Sequence, residues 1–156
     1  MGKREVMTVI NRCPECGASW AGGKTCEEIF YEFLALEFEN YNGEGEVHFY
    51  TVSSYMIQHQ RYSAEGFQWI REQLQAALAG KLTIAEIQAL AGKSVGQDKR
   101  SWKITRAEDT PIQPPLDWAI TIVDVNQDVD TFYNERILKW AQSIVDTLNE
   151  GSSDRG

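Results

Sequence analysis

Cys13-Pro14-Glu15-Cys16-Gly17, followed by a third and last cysteine at Cys26, decides the reading of this chain. C-P-x-C-G has the shape of a metal knuckle. Two thiolates separated by two residues, on a tight turn closed by a glycine, grip one Zn²⁺ from the same side. Tetrahedral zinc needs four ligands, and Cys13, Cys16 and Cys26 supply three. The fourth must come from one of two histidines, His48 or His59. Both fall on one expected helix. At 1.5 Å per residue they lie roughly 16 Å apart along it, so one ion cannot take both while that helix is unbroken.

Antiparallel geometry separates the two. A helix that begins at Cys26 and turns near Asn42-Gly43 meets a second helix running back. Counted outward from the turn, Cys26 comes level with His59, and Glu37 with His48. The expected site is therefore Cys13, Cys16, Cys26 and His59, with His48 as the alternative fourth ligand if the second helix begins only after it. Three thiolates and one imidazole fill the shell and leave no position for a water, which marks a structural rather than a catalytic ion. The competing readings are two free buried thiols with Cys26 as first-turn filler, or a redox-active C-x-x-C. A thioredoxin-like pair opens a helix, whereas this knuckle precedes a loop.

The rest of the chain reads outward from the knuckle as helices. Val6–Ile10 suggests a short strand leading in. Thr25 and Glu28 make a capping box for a helix carrying Ile29, Phe30, Phe33, Leu34 and Leu36. A second helix spans about Val47–Gln60, with Val52, Tyr55 and Met56 inward. A third follows Ser63, carries Phe67, Ile70, Leu74, Ala77 and Leu78, and stops at Gly80. Thr83 and Glu86 box a short helix that runs through Leu90. Gly92–Arg100 reads as a polar loop, and Trp102, Ile104 and Pro111–Pro115 as irregular but anchored. Ile120–Val125 is ambiguous, since β-branched residues favour a strand while Thr121 with Asp124 caps a helix. The last helix spans about Thr131–Asn149, with Phe132, Ile137, Trp140, Ala141, Ile144, Val145 and Leu148 on one face. The expected architecture is mostly α: a single-domain helical bundle over residues 1–150 with an N-terminal zinc knuckle, little or no β, and a disordered tail at 151–156.

Composition narrows the function. With 156 residues, 42% hydrophobic and 24% charged, the chain suits one globular domain. A formal net charge of −8 opposes broad phosphate-backbone binding, which needs a surplus of Lys and Arg, so a nucleic-acid partner is not expected. An odd cysteine count fits a reducing compartment and a metal site, and the cytoplasm is the expected location. No apolar run suits a signal peptide or a membrane span.

Glu27, Glu28, Glu32, Glu39, Glu44 and Glu46 read as a solvated acidic face. Glu37 follows Leu34 and Leu36 into apolar surroundings and is the exception. It can pair with His48 as a structural hydrogen bond, or as an acid/base pair or part of a second metal site. Tyr55 and Gln58 read as core or as support for a zinc ligand. Trp69, Trp102, Trp118 and Trp140 read as core anchors. There is no Ser-His-Asp set, phosphate-binding glycine loop or H-E-x-x-H motif.

The order C-P-x-C-G-A (Cys13 to Ala18), Cys26 opening a helix, V-H-x-x-T-V-x-x-Y-x-x-Q-H (Val47 to His59), Pro114-Pro115, T-I-V-D-V (Thr121 to Val125) and W-A-x-S (Trp140 to Ser143) resembles a bacterial family known only as domain of unknown function 5946. The resemblance implies that Cys13, Cys16, Cys26, His48, Tyr55, Gln58 and His59 matter, and it implies no activity. Family members often read V-D-x-Y and Q-H-P, where this chain has Val52-Ser53-Ser54-Tyr55 and His59-Gln60. The missing acid removes a carboxylate from any catalytic scheme, and the missing proline removes an expected helix stop after His59.

Two functions follow. One is a structural zinc site in an adaptor or regulatory module with a protein partner. The other is a metal-dependent enzyme with a cleft near His48, Glu37 and Tyr55.

Overall fold

The computed structural model describes residues 12–20, 23–41, 46–87, 89, 105–106, 111, 113–128 and 131–155. Expectations for Val6–Ile10, Gly92–Arg100, Leu90, Trp102 and Ile104 fall outside them.

Helix α1 (Cys26–Tyr41) starts where the capping box predicts. The Thr25 N–H donates to Glu28 Oε1 at 2.9 Å, and the Glu28 N–H donates to Thr25 Oγ1 at 3.2 Å. Two otherwise orphaned backbone donors are satisfied, worth about 1 kcal/mol for such a cap. Helix α2 (Glu46–Gln58) returns alongside it, and α3 (Ala64–Leu78) follows with Ser63 accepting from the Gly66 N–H. Thr83 and Glu86 form the second box, heading a helical turn at 84–87. The ambiguous Ile120–Val125 stretch resolves to helix α4 (Ile122–Gln127). Asp124 Oδ2 takes the Thr121 N–H at 2.9 Å, and this local bond outweighs the β-branched preference. Helix α5 (Tyr133–Arg155) runs past the apolar face into the stretch expected to be a tail.

The chain is mostly helical, and the described residues contain no strand. Their only β-type pairings are isolated bridges, Arg12 with Ser19 and Tyr62 with Thr105. None of the described helices is long and apolar enough to cross a membrane. α2 packs against α1, α3 and α5. That placement buries it nearly all round: Val47, Tyr50, Ser53, Ser54 and Ile57 are inside along with Tyr55. α5 presents Ile137, Trp140, Ala141, Ile144, Val145 and Leu148 inward as predicted, and Trp140 is fully buried. Phe132 departs from that face. It precedes the helix and is 80% exposed. Leu36 is 39% exposed, and it is Glu37 that turns inward instead.

α2 ends two residues before the expected Gln60, and no proline is needed to stop it. Gln60 takes the left-handed conformation (φ 56°). The Arg61 N–H reaches back to the Met56 carbonyl at 3.0 Å and the Gln60 N–H to that of Ile57 at 3.2 Å, the bonding of a Schellman close. The Gln60 side chain then ties the end of α2 to two other segments. Its Nε2 donates to the carbonyls of Gln113 (2.8 Å) and Glu15 (3.3 Å), and its Oε1 accepts from the Gln113 N–H (2.8 Å). The left-handed backbone costs a non-glycine residue about 1–2 kcal/mol. Gln60→Ala should therefore be less stable than Gln60→Gly by about that amount in chemical denaturation, since both lose the clamp and only Ala keeps the strain.

Candidate metal centre

The knuckle is a closed turn. The Cys13 N–H donates to the Ala18 carbonyl (2.8 Å), the Gly17 N–H to the Cys13 carbonyl (2.9 Å), and the Cys16 N–H to Cys13 Sγ (3.4 Å). Gly17 sits at φ 83°, where a side chain is strained, which accounts for glycine after the second cysteine. Arg12 closes the base by donating to the Gly17 carbonyl at 2.7 Å.

Cys13, Cys16, Cys26 and His59 come together. Their ligand atoms all lie within 4.8 Å of one another, and all four residues are buried. Cys16 and Cys26 sulfurs are 3.7 Å apart. A disulfide spans about 2.05 Å, whereas a zinc tetrahedron with Zn–S of about 2.3 Å has S–S edges of about 3.8 Å. The cysteines are indeed free thiols. His59 supplies the second test. Its Nδ1 lies 2.8 Å from the Tyr55 carbonyl, which can only accept, so Nδ1 carries the proton. Nε2 is left buried with a free lone pair and no well-formed hydrogen bond, close to the Cys13 and Cys26 sulfurs. An orphaned imidazole lone pair beside three thiols fits a cation in their midst.

Without an ion the four groups compete for charge. Hydrogen bonds from Cys16 and Cys26 push the Cys13 thiol well below its ordinary range, while the contacts with Cys13 and Cys26 push Cys16 above it. Burial pulls His59 down, but the adjacent Cys13 and Cys26 sulfurs outweigh it and raise the ring to about 9. Three thiolates are held side by side only when a metal neutralises them.

The neighbours hold this set in place. Tyr55 is stacked between Phe30 (3.9 Å between ring centres) and His59 (4.1 Å), which fixes the imidazole plane. The Trp20 indole N–H lies 3.2 Å from Cys26 Sγ and donates to it. Arg61 pairs with Glu15 at 3.0 Å, tying α2 to the knuckle. Gln58 sits behind, receiving the Trp140 indole N–H (3.0 Å) and donating to the Ile120 carbonyl (2.7 Å). The sequence named Tyr55 and Gln58, but the roles of Trp20, Glu15 and Arg61 went unrecognised, because the fold, and no spacing in the chain, sets their partners.

His48 is elsewhere. Its Nδ1 lies 3.0 Å from Glu37 Oε1, the pairing expected from the hairpin count. Glu37 is completely buried, and its other oxygen accepts from the Thr51 hydroxyl (2.5 Å) and from the Tyr133 hydroxyl. One carboxylate thus joins α1, α2 and α5. Phe33 meets the Tyr133 ring edge-on and Arg136 lies over it. His48 is not part of the four-residue cluster. Two clefts lined by described residues include none of His48, Glu37 and Tyr55.

A family model for a family of unknown function, DUF5946, matches residues 11–149, from the knuckle to the end of the apolar face of α5. The chain belongs to that family. No curated protein and no solved structure matches it. The DUF5946 match thus supplies membership, while the chemistry has to come from the residues.

The two buried polar sets should separate by mutation. Glu37→Ala strands donors on two helices and should cost about 2–4 kcal/mol in chemical denaturation. His48→Ala, at a ring whose side chain is 36% exposed, should cost about 1 kcal/mol. Neither should change the metal content measured by elemental analysis.

Proposed function

We propose that this chain is a structural zinc protein. One Zn²⁺ is held by Cys13, Cys16, Cys26 and His59, and the helical body it stabilises serves as an adaptor or regulatory module for a protein partner in the cytoplasm. The observation that carries the metal reading is the convergence of three buried thiols on the unpartnered Nε2 of His59. The choice of zinc rests on donor chemistry, since three thiolates and an imidazole suit a borderline-soft, redox-inert ion in a closed tetrahedron. The non-enzymatic reading rests on the same count, which leaves no coordination position for water or substrate. Free buried thiols support a reducing compartment, and the net charge of −8 speaks against nucleic acid.

A second reading keeps an enzyme in view. Glu37 is a fully buried carboxylate that orients a partly exposed His48, an arrangement able to serve as a base. It would work apart from the zinc, which alters the scheme of a cleft shared with Tyr55.

Protein purified without added metal should carry one zinc per chain. His59→Ala and Cys16→Ser should lose it, and a strong chelator should unfold the wild type. Calorimetric zinc binding should release more than one proton at neutral pH and weaken as the pH falls, because thiol and imidazolium protons must leave before the metal binds. A metal-free sample that stays fully folded contradicts the proposal.

A further inference from the structure

Helix α1 turns one face inward and packs on α2 and α4. Cys26, Ile29, Phe30, Phe33 and Glu37 mark that face. The opposite face is exposed, yet it is not the polar surface that an outer helix face ordinarily shows. Tyr31 is 58% exposed and Phe38 66%. They stand seven residues apart, close to two turns, and so fall nearly in line. Ala35, also exposed, lies between them, and half-buried Leu34 adjoins it. Tyr31, Leu34, Ala35 and Phe38 thus recur at i, i+3, i+4 and i+7, the seam along which one helix receives another. Single exposed apolar residues are ordinary, whereas aromatic rings aligned on one face mark a contact surface. The small side chain of Ala35 leaves a notch between the two rings for one apolar knob from outside.

Charge says what kind of helix fits there. Glu28, Glu32 and Glu39 form the neighbouring line, at steps of four and seven, and Glu27 lies one turn before Tyr31. All four are exposed. One ammonium stands against them: Lys24 meets Glu32 at 2.7 Å, between side chains about half exposed, a bridge that contributes little and is readily exchanged. The border of the seam therefore stays acidic. An antiparallel second copy would set this acidic line against itself, and an anionic membrane would be repelled.

The geometry points to the outer face of α1 as a docking surface for a basic amphipathic helix of a partner protein. The partner lays its apolar ridge along Tyr31, Ala35 and Phe38 and sets Lys or Arg against Glu28, Glu32 and Glu39. This inference rests on the adaptor reading above and gives it a face and a partner class. The metal contributes by anchoring Cys26 at the head of the same helix.

The test uses the full-length protein as purified, with zinc content measured on every sample. The probes are a helical peptide of about two heptads, with Leu at the a and d positions and Lys beside them, and its counterpart with Glu in place of every Lys. Nitrogen-resolved NMR follows each titration. The basic peptide should bind saturably with Kd tighter than about 0.1 mM and weaken several-fold as salt is raised. The shifts should centre on backbone amides of α1. Replacing both rings (Tyr31→Ser with Phe38→Ser) should weaken binding at least tenfold while the zinc content and melting temperature hold. Should that variant fold poorly, Glu32→Lys with Glu39→Lys, both at exposed positions, should abolish binding of the basic peptide. No saturable binding, or binding that survives these variants, overturns the α1 surface and leaves the zinc and adaptor readings standing. Equal affinity for the Glu peptide overturns the basic class. Self-association of the wild type that the two serine substitutions abolish would assign the face to a second copy and overturn the partner.

Discussion

Four donors that repel or compete with one another are drawn to one point, and the fold around them depends on something positive holding them there. Cys13 and Cys16 come from the knuckle, Cys26 from the first turn of α1, and His59 from the close of α2. None is exposed to water, so solvent cannot spread their charge. A cation converts a costly cluster of thiols into the tie between the knuckle and the α1–α2 hairpin. The Phe30–Tyr55–His59 stack and the Trp20 N–H then serve geometry: one sets the plane of the imidazole, the other settles a sulfur lone pair.

The second constraint is the burial of α2. A helix enclosed by α1, α3 and α5 must answer for most of the polar side chains it carries, and Ser54 Oγ is the one buried side-chain group on it left unpaired among the described residues. Thr51 meets Glu37, and Gln58 spans from Trp140 to the Ile120 carbonyl. These bonds run between helices, so they select one packing arrangement over others that would bury the same apolar area. Gln60 extends the logic beyond the helix end, where one carboxamide secures both the knuckle and the 113–118 segment.

Much of this was legible in the residues. The two Thr–Glu boxes located helix starts, and the hairpin count paired Cys26 with His59 and Glu37 with His48, as the structure has them. Helical periodicity drew the face of α5 correctly from Ile137 to Leu148, then overreached at Phe132, which lies before the helix begins. Leu36 was misplaced because periodicity ranks by hydrophobicity and cannot see that three donors await Glu37. Trp20, Tyr133 and the Glu15–Arg61 pair act across the fold, and their partners are distant or unpatterned in the chain. The stop at Gln60 was hidden for a different reason: a left-handed glutamine is rare, and its bonds to residue 113 are what sustain it.

The central claim is that a single ion is held by three sulfurs and one nitrogen, and metal-edge X-ray absorption on the purified protein reads that shell directly. The account predicts zinc, with three sulfur neighbours at about 2.3 Å and one imidazole nitrogen at about 2.0–2.1 Å. A shell dominated by oxygen and nitrogen, or one with fewer than three sulfurs, would contradict it.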